Sequence, residues 1–180
     1  MDLHTHPIEA LKTKMGIQGI LDIKKDVVKA IVEAVKAAGL DGIAITEHNN
    51  FNHSLVAALD IMDTFRRENL IVLPGAEVDY RGQQFLQIYV PPYVRRGVPF
   101  VKDKEWFYIL AHPGFYSPID TAQFADQDYD AVESQSLHGE FSSASQIAQE
   151  RDIPLVKSSD AHDLKDLGIY YTEMDSKFRR

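Results

Sequence analysis

The chain has 180 residues, 44% of them hydrophobic and 10% aromatic, which fits a single globular domain over residues 1–180 with a sizeable core. It has no cysteine, so disulfides and thiolate metal sites are excluded, and any metal must be held by imidazole and carboxylate, a ligand set that suits zinc, manganese or iron. The net charge of −8 argues against an extended nucleic-acid surface, no apolar run is long enough for a bilayer, and the start Met1-Asp2-Leu3-His4 has no signal-peptide pattern, so a cytoplasmic protein is expected.

In chain order, Asp22 to Ala38 is predicted to be a helix, with Val27, Ile31, Val35 and Ala38 at helical spacing and Gly39 as its stop. Gly42 to Thr46 reads as a strand and His53 to Asn69 as a second helix, with Leu55, Leu59, Met62 and Phe65 on one side. Leu70 to Leu73 is expected as a buried strand ended by Pro74-Gly75. Phe85 to Val90 and Trp106 to Ala111 follow as strands, separated by a loop rich in proline. Ala131 to Ser134, Leu155 to Ser158 and Gly168 to Thr172 are the last predicted strands, with a helix over Ser142 to Arg151. Such alternation implies a mostly parallel sheet covered by helices, either a distorted barrel or an open doubly wound sheet.

Histidines and acids fall just past the apolar strands. Leu3 leads into His4-Thr5-His6, Thr46 into Glu47-His48, Leu73 through Pro74-Gly75 to Glu77, Ala111 into His112-Pro113-Gly114, and Ser159 into Asp160-Ala161-His162. In a parallel sheet or barrel those strand ends share one face, where active sites are built. Residues two apart on a strand point the same way, so His4 and His6 can present two imidazoles to one cation, and Asp160 and His162 form a similar pair. Glu77 has two carboxylate oxygens and can bridge two ions. A single His-x-His is a weak signal, but six of the seven histidines share this placement. His53, at a predicted helix start, reads as structural.

Asp2-Leu3-His4-Thr5-His6, Gly39 to Asn49, Pro74-Gly75-Ala76-Glu77-Val78, Ala111-His112-Pro113-Gly114 and Ser158-Ser159-Asp160-Ala161-His162 resemble, in order, the motifs of the PHP family, named for polymerase and histidinol phosphatase. The resemblance implies a distorted (β/α)7-type barrel with its metal site at the C-terminal ends of the strands, and hydrolysis of a phosphate ester by water activated at two or three divalent metal ions. By position, His4, His6, Glu77 and Asp160 hold the first metal, Glu77 and His112 the second, and His48 and His162 serve a third. Two departures stand out. No histidine lies between Glu77 and His112, where relatives often carry one, and His138 is the proposed replacement. After His6, where an acid or His often serves the third metal, Glu9 is the only candidate.

On this reading His162 or His48 protonates the leaving alkoxide, and Lys157, Arg81, Arg95 and Arg96 are candidates for binding phosphate, each with solvated surface charge as the plainer alternative. The substrate class is a small phosphomonoester or short nucleotide, with no membrane partner. Two alternatives stay open: an amidohydrolase, whose pattern fits Glu77 and the Asp160-Ala161-His162 ending less well, and a non-catalytic metal-binding regulatory module.

Overall fold

In the computed structural model, which describes residues 1–15, 25–49, 51–91, 105–116, 118–119 and 127–173, the N-terminal segment joins the two ends of a curled mixed sheet. On one side it pairs with β1 (Gly42–Ile45): Asp2 N–H donates to Gly42 O, Ala44 N–H to Asp2 O, and Thr46 N–H to Thr5 O. On the other side it accepts Asp160 N–H at His4 O and donates His6 N–H to Ala161 O. His4 and His6 are therefore held by backbone bonds from both flanks.

The sheet order is β1, β2 (Ile71–Tyr80), β3 (Gln83–Tyr89), β4 (Trp106–Leu110), β5 (Ala131–Ser136) and β6 (Gly139–Glu140), with β7 (Leu155–Lys157) also paired to β5. β1/β2, β4/β5 and β5/β7 are parallel, whereas β2/β3, β3/β4 and β5/β6 are antiparallel. The expected mostly parallel sheet is thus a mixed one.

The reason lies at Pro74-Gly75, which does not end the strand. β2 pairs with β1 through Ile71 to Pro74 and with β3 from Gly75 to Tyr80. Proline lacks the N–H that a continued ladder requires, so it suits the point where β2 changes partner. A Cβ at Gly75 would lie 2.8 Å from Gln87 O, so only glycine allows this approach. β2 then turns into β3 through Arg81 and Gly82, both at positive φ (52° and 79°), as a tight two-residue hairpin requires.

Strand alternation covers both faces of the sheet. Leu86, Ile88, Ile109 and Ala131 pack inside the curl with Leu3, Ala44 and Leu73, while Phe85, Leu110 and Val132 face Ile147 and Ala148 of the helix Ala144–Arg151, α4. Two longer helices, α2 (Lys25–Ala37) and α3 (Phe51–Arg67), seal the β1 side, where Ile31 and Val35 meet Ile61 and Phe65. The first helix, α1 (Pro7–Met15), was not expected. It begins one residue after His6, with proline at its first position, where a missing N–H costs nothing. Gly168 to Thr172 is not a strand. Its backbone is tied at separate points, Gly168 N–H to Asp2 Oδ2 and Thr172 reciprocally to Met1, rather than along a ladder. Among the described residues no helix is long and apolar enough to cross a membrane.

Candidate metal centre

Glu77 lies inside β2, two residues past Gly75, and beside the residues that follow β1: its N–H reaches Thr46 O and Glu47 O, and Asn49 N–H bonds Glu77 O. The partner switch therefore carries a carboxylate into the ring of strand-end histidines. Oε1 lies 2.8 Å from His112 Nε2 and 3.5 Å from His4 Nε2. Oε2 lies 3.1 Å from His48 Nε2 and 3.5 Å from His6 Nε2. One buried carboxylate thus faces four imidazoles.

Asp160 meets the same group from the end of β7. Its Oδ1 is 3.3 Å from Nε2 of both His4 and His6, and its Oδ2 is 2.8 Å from His138 Nε2. His138, named from a gap in the motif pattern, therefore reaches the cluster from the β5–β6 turn. Both His112 and Asp160 have left-handed backbones, at φ 26° and 55°. Such conformations cost about 1–3 kcal/mol each in non-glycine residues and gather at functional sites.

Glu133 was missed by sequence reading. It is fully buried on β5, one Oε1 accepting from His4 Nδ1 (3.2 Å) and Ser158 Oγ (2.5 Å), while Oε2 accepts from His112 N–H (2.8 Å). It fixes the His4 ring with Nε2 turned toward Glu77 and Asp160. The available signal was an acid inside the apolar run Ala131-Val132-Glu133, where a buried charge needs partners. Asp2 has a comparable role. Its Oδ1 accepts from Ser159 N–H and its Oδ2 from Gly168 N–H, and burial pushes its carboxyl up to about 6.

A second cluster sits outside the first. Glu9, in the first turn of α1, places both oxygens 3.1 Å from His48 Nδ1. The His6 ring stacks between His48 and His162, at 4.3 and 4.2 Å. His6, Glu9, His48 and His162 bring one ligand atom each within 4.8 Å of one another, as do His4, His6 and Glu77. Glu47 turns elsewhere: its carboxylate accepts from Ile8 and Glu9 N–H at the start of α1, and burial raises its pKa to about 8. It thereby fixes the helix that presents Glu9.

The electrostatics follow from this crowding. Burial opposes charge on His4, but the carboxylates of Asp160, Glu77 and Glu133 outweigh it and raise its pKa well above the usual value. Burial alone would raise Glu77 and Asp160, yet the facing imidazoles hold both well below the usual carboxylate range. Burial dominates at His6 and lowers it to about 4, so that ring is neutral at pH 7. Among the described residues, four buried side-chain atoms have no hydrogen-bond partner: His4 Nε2, both ring nitrogens of His6, and Asp160 Oδ1. Buried polar atoms are rarely left so. Here His4 Nε2 and His6 Nε2 each lie 3.3 Å from Asp160 Oδ1, and a shared divalent cation would satisfy the three together. The donor set fits the metal expected from the sequence.

Of the other named residues, Arg81 sits on the β2–β3 turn at this end of the sheet, with its guanidinium 4.9 Å from the centre of the Tyr80 ring. Lys157 is exposed at the end of β7. Arg95, Arg96 and the side chain of His53 lie outside the described residues.

The fold and the cluster define an α/β protein that gathers imidazoles and carboxylates at one end of a curled sheet. A family model described as PHP-associated matches residues 142–179, and no curated protein matches the chain. Among solved structures, the chain is similar to a two-domain protein of Bacteroides vulgatus ATCC 8482 that contains a predicted PHP-like metal-dependent phosphoesterase (17% identity, 91% of this chain, 52% of that chain, TM-score 0.61). It is also similar to a candidate metal-dependent phosphoesterase of Bifidobacterium adolescentis ATCC 15703 (15% identity, 99% and 93% covered, TM-score 0.63). PsfC from Pseudomonas syringae PB-5123 shares the fold as well (15% identity, 91% and 76% covered, TM-score 0.57). The chain therefore spans about half of the first of these proteins and most of the other two. The PHP-associated match covers residues 142–179, and the solved structures show the shared fold.

Proposed function

We propose that residues 1–180 form one PHP-like hydrolase domain, a distorted barrel that hydrolyses a small phosphate ester at the strand-end cluster. The observation that carries this reading is the set of buried, unpartnered atoms on His4, His6 and Asp160 beside Glu77. In it, His4, His6, Glu77 and Asp160 hold one divalent cation, Glu77, His112 and His138 contribute to a second, and Glu9, His48 and His162 to a third. Bound zinc, manganese or iron would supply Lewis acidity and lower the pKa of water at the site.

The chain's own residues perform the remaining tasks. Glu133 keeps His4 in the tautomer with Nε2 available, and Asp2 ties Ser159, next to Asp160, to the N-terminal segment. His162 donates its Nδ1 proton to Asp160 O, which leaves Nε2 for ligation or, once that nitrogen has taken a proton from solvent, for protonating a leaving alkoxide. His48 is the alternative acid. Their side chains, 47% and 36% exposed, can exchange protons with solvent. Arg81 and Lys157 are the candidates for binding phosphate.

The test is metal analysis of the purified chain, followed by a panel of phosphoesters, amides and lactones on chelated and metal-reloaded protein. At least two ions per chain and metal-dependent phosphoester turnover are expected. Amide or lactone turnover without phosphoester hydrolysis would reject the proposal in favour of an amidohydrolase. Bound metal with no turnover at all would leave a binding module.

A further inference from the structure

His138 reaches the cluster from a hairpin turn. Ser136 pairs with Gly139 across β5 and β6, so Leu137 and His138 form the turn, and Gly139 follows at φ 113°. Backbone bonds fix it: Leu137 N–H donates to Ser159 O at 3.1 Å, and His138 N–H to Ser136 Oγ at 3.2 Å. These bonds place the His138 backbone beside Asp160 but leave the torsions of the ring open. The second torsion of a histidine has a broad range of its own, and this side chain is 30% exposed.

His4 meets the same problem with a carboxylate, Glu133, on its far ring nitrogen. Among the described residues His138 has no such bond. Its Nε2 lies 2.8 Å from Asp160 Oδ2, and one face of its ring packs on Phe115, with 4.3 Å between centroids and 30° between planes. Phe115 is set by a short turn after His112. Its N–H donates to His112 O at 3.1 Å, Gly114 before it has φ 83°, and Ser143 Oγ donates to Pro113 O at 3.0 Å. Its ring also meets Tyr116 edge-on at 4.8 Å and the buried Phe141 at 6.5 Å. Yet Phe115 is 44% exposed and lies outside the three apolar clusters of the core, so burial does not account for it. What its ring does is cover one face of an imidazole, and a stacked neighbour narrows the angles at which that imidazole can stand.

Resting on the metal-centre reading above, we propose that Phe115 is a positioning residue for the second ion. Its ring fixes the plane of His138 and keeps Nε2 directed at Asp160, in place of the carboxylate that supports His4.

The stack is tested first in the metal-free full chain by nuclear magnetic resonance. The His138 ring protons, assigned by their loss in His138→Ala, should move downfield in Phe115→Leu, which removes the ring current but keeps apolar bulk. They should stay in place in Phe115→Tyr. The consequence is read by calorimetric titration of zinc into the chelator-treated chain. Phe115→Leu should weaken, by about three- to tenfold, the one ion that His138→Ala weakens, and Phe115→Tyr should bind like the wild type. Adding Phe115→Leu to His138→Ala should cause no further loss, because the first acts only through the second. Unmoved His138 signals, unchanged zinc affinity in Phe115→Leu, losses that add in the double variant, or an equal loss at every ion would each overturn the inference while leaving the metal centre intact. Absence of any ion that depends on His138 overturns it too. A wild-type chain that binds no zinc, manganese or iron fails the metal-centre reading itself, even where the stack is present.

Discussion

The inner and outer parts of the centre use the same residue types in different ways. In the inner part, the His4 ring is held by Glu133, and His112 and Asp160 are fixed through their backbone N–H groups, on Glu133 and on His4 O. Those supports are buried, and they leave His4 Nε2 and His6 Nε2 each 3.3 Å from Asp160 Oδ1 without a hydrogen bond. In the outer part, Glu9 and His48 hold each other, and His162 is half exposed. Preorganisation costs strain and burial, and the fold concentrates both at His112 and Asp160. On the proposed function, the inner site is the buried, preorganised receptor for cations, and the outer one its more exposed rim.

Glu77 belongs to both parts, so it gives the largest effect. Glu77→Gln removes the one charge that faces His4, His6, His48 and His112. Phosphoester turnover should fall by more than about 10³-fold, equivalent to several kcal/mol of lost transition-state stabilisation. Steady-state kinetics with metal analysis would check this. A variant that kept its metal content and most of its turnover would remove Glu77 from the bridging position.

Glu133→Gln should separate the two parts. It keeps the shape but turns one of the two oxygens that accept from Ser158, His4 and His112 into an amide donor. Inner-site metal affinity should drop about 10–100-fold, the usual range for a residue that orients a ligand. The outer ions should be affected less. Competition against a chelating dye would show whether the loss is confined to the inner ions, and an equal loss at every ion would erase the distinction.

How much of this was legible in the sequence follows the same division. The residues of the inner cluster could be picked out because each lies close to an apolar strand in a short motif: His4 and His6 after Leu3, His112 after Ala111, Asp160 after Ser159. Their supports could not, because they depend on pairing between distant strands. Glu133 matters only once β5 lies beside β4 and β7, which brings it to His112 and Ser158. Glu77 was expected just past a strand, and it lies within β2. Pro74-Gly75 is an ordinary stop signal, and nothing local shows that β2 exchanges one neighbour for another there. α1 is short and follows a motif that reads as loop, and its start is secured by the distant Glu47.

The two parts should also differ in their response to pH. Contacts with Glu77 and Glu9, against the opposing effect of burial, raise His48 to about 10, so it is protonated at pH 7 in the metal-free chain. Cation binding at the outer site must displace that proton, and affinity there should rise with pH by up to about tenfold per unit until the pH nears that value. His6, lowered to about 4 chiefly by burial, adds no such dependence at neutral pH. His4, raised by its carboxylates, would release a proton on inner loading as well. Calorimetry in buffers of different ionisation enthalpy would count these protons. Outer-site affinity that stayed flat between about pH 6 and 8 would contradict a protonated His48.

The smallest effect is expected where the fold provides no burial at all. Arg81 is exposed on the hairpin turn, and Lys157 is exposed on β7. Exposed charges contribute about 0–1 kcal/mol to an ionic contact, because water screens them and long side chains lose entropy when fixed. If Arg81 guides phosphate at this end of the sheet, Arg81→Ala should raise KM by no more than about fivefold with kcat unchanged, and added salt should shrink the difference. Lys157→Ala should behave in the same way or more weakly, since its strand neighbours Val156 and Ser158 turn inward while its own side chain faces solvent. A fall in kcat for either variant would place that cation against the reacting phosphoryl group, and would move the boundary of the preorganised inner site outward to include it.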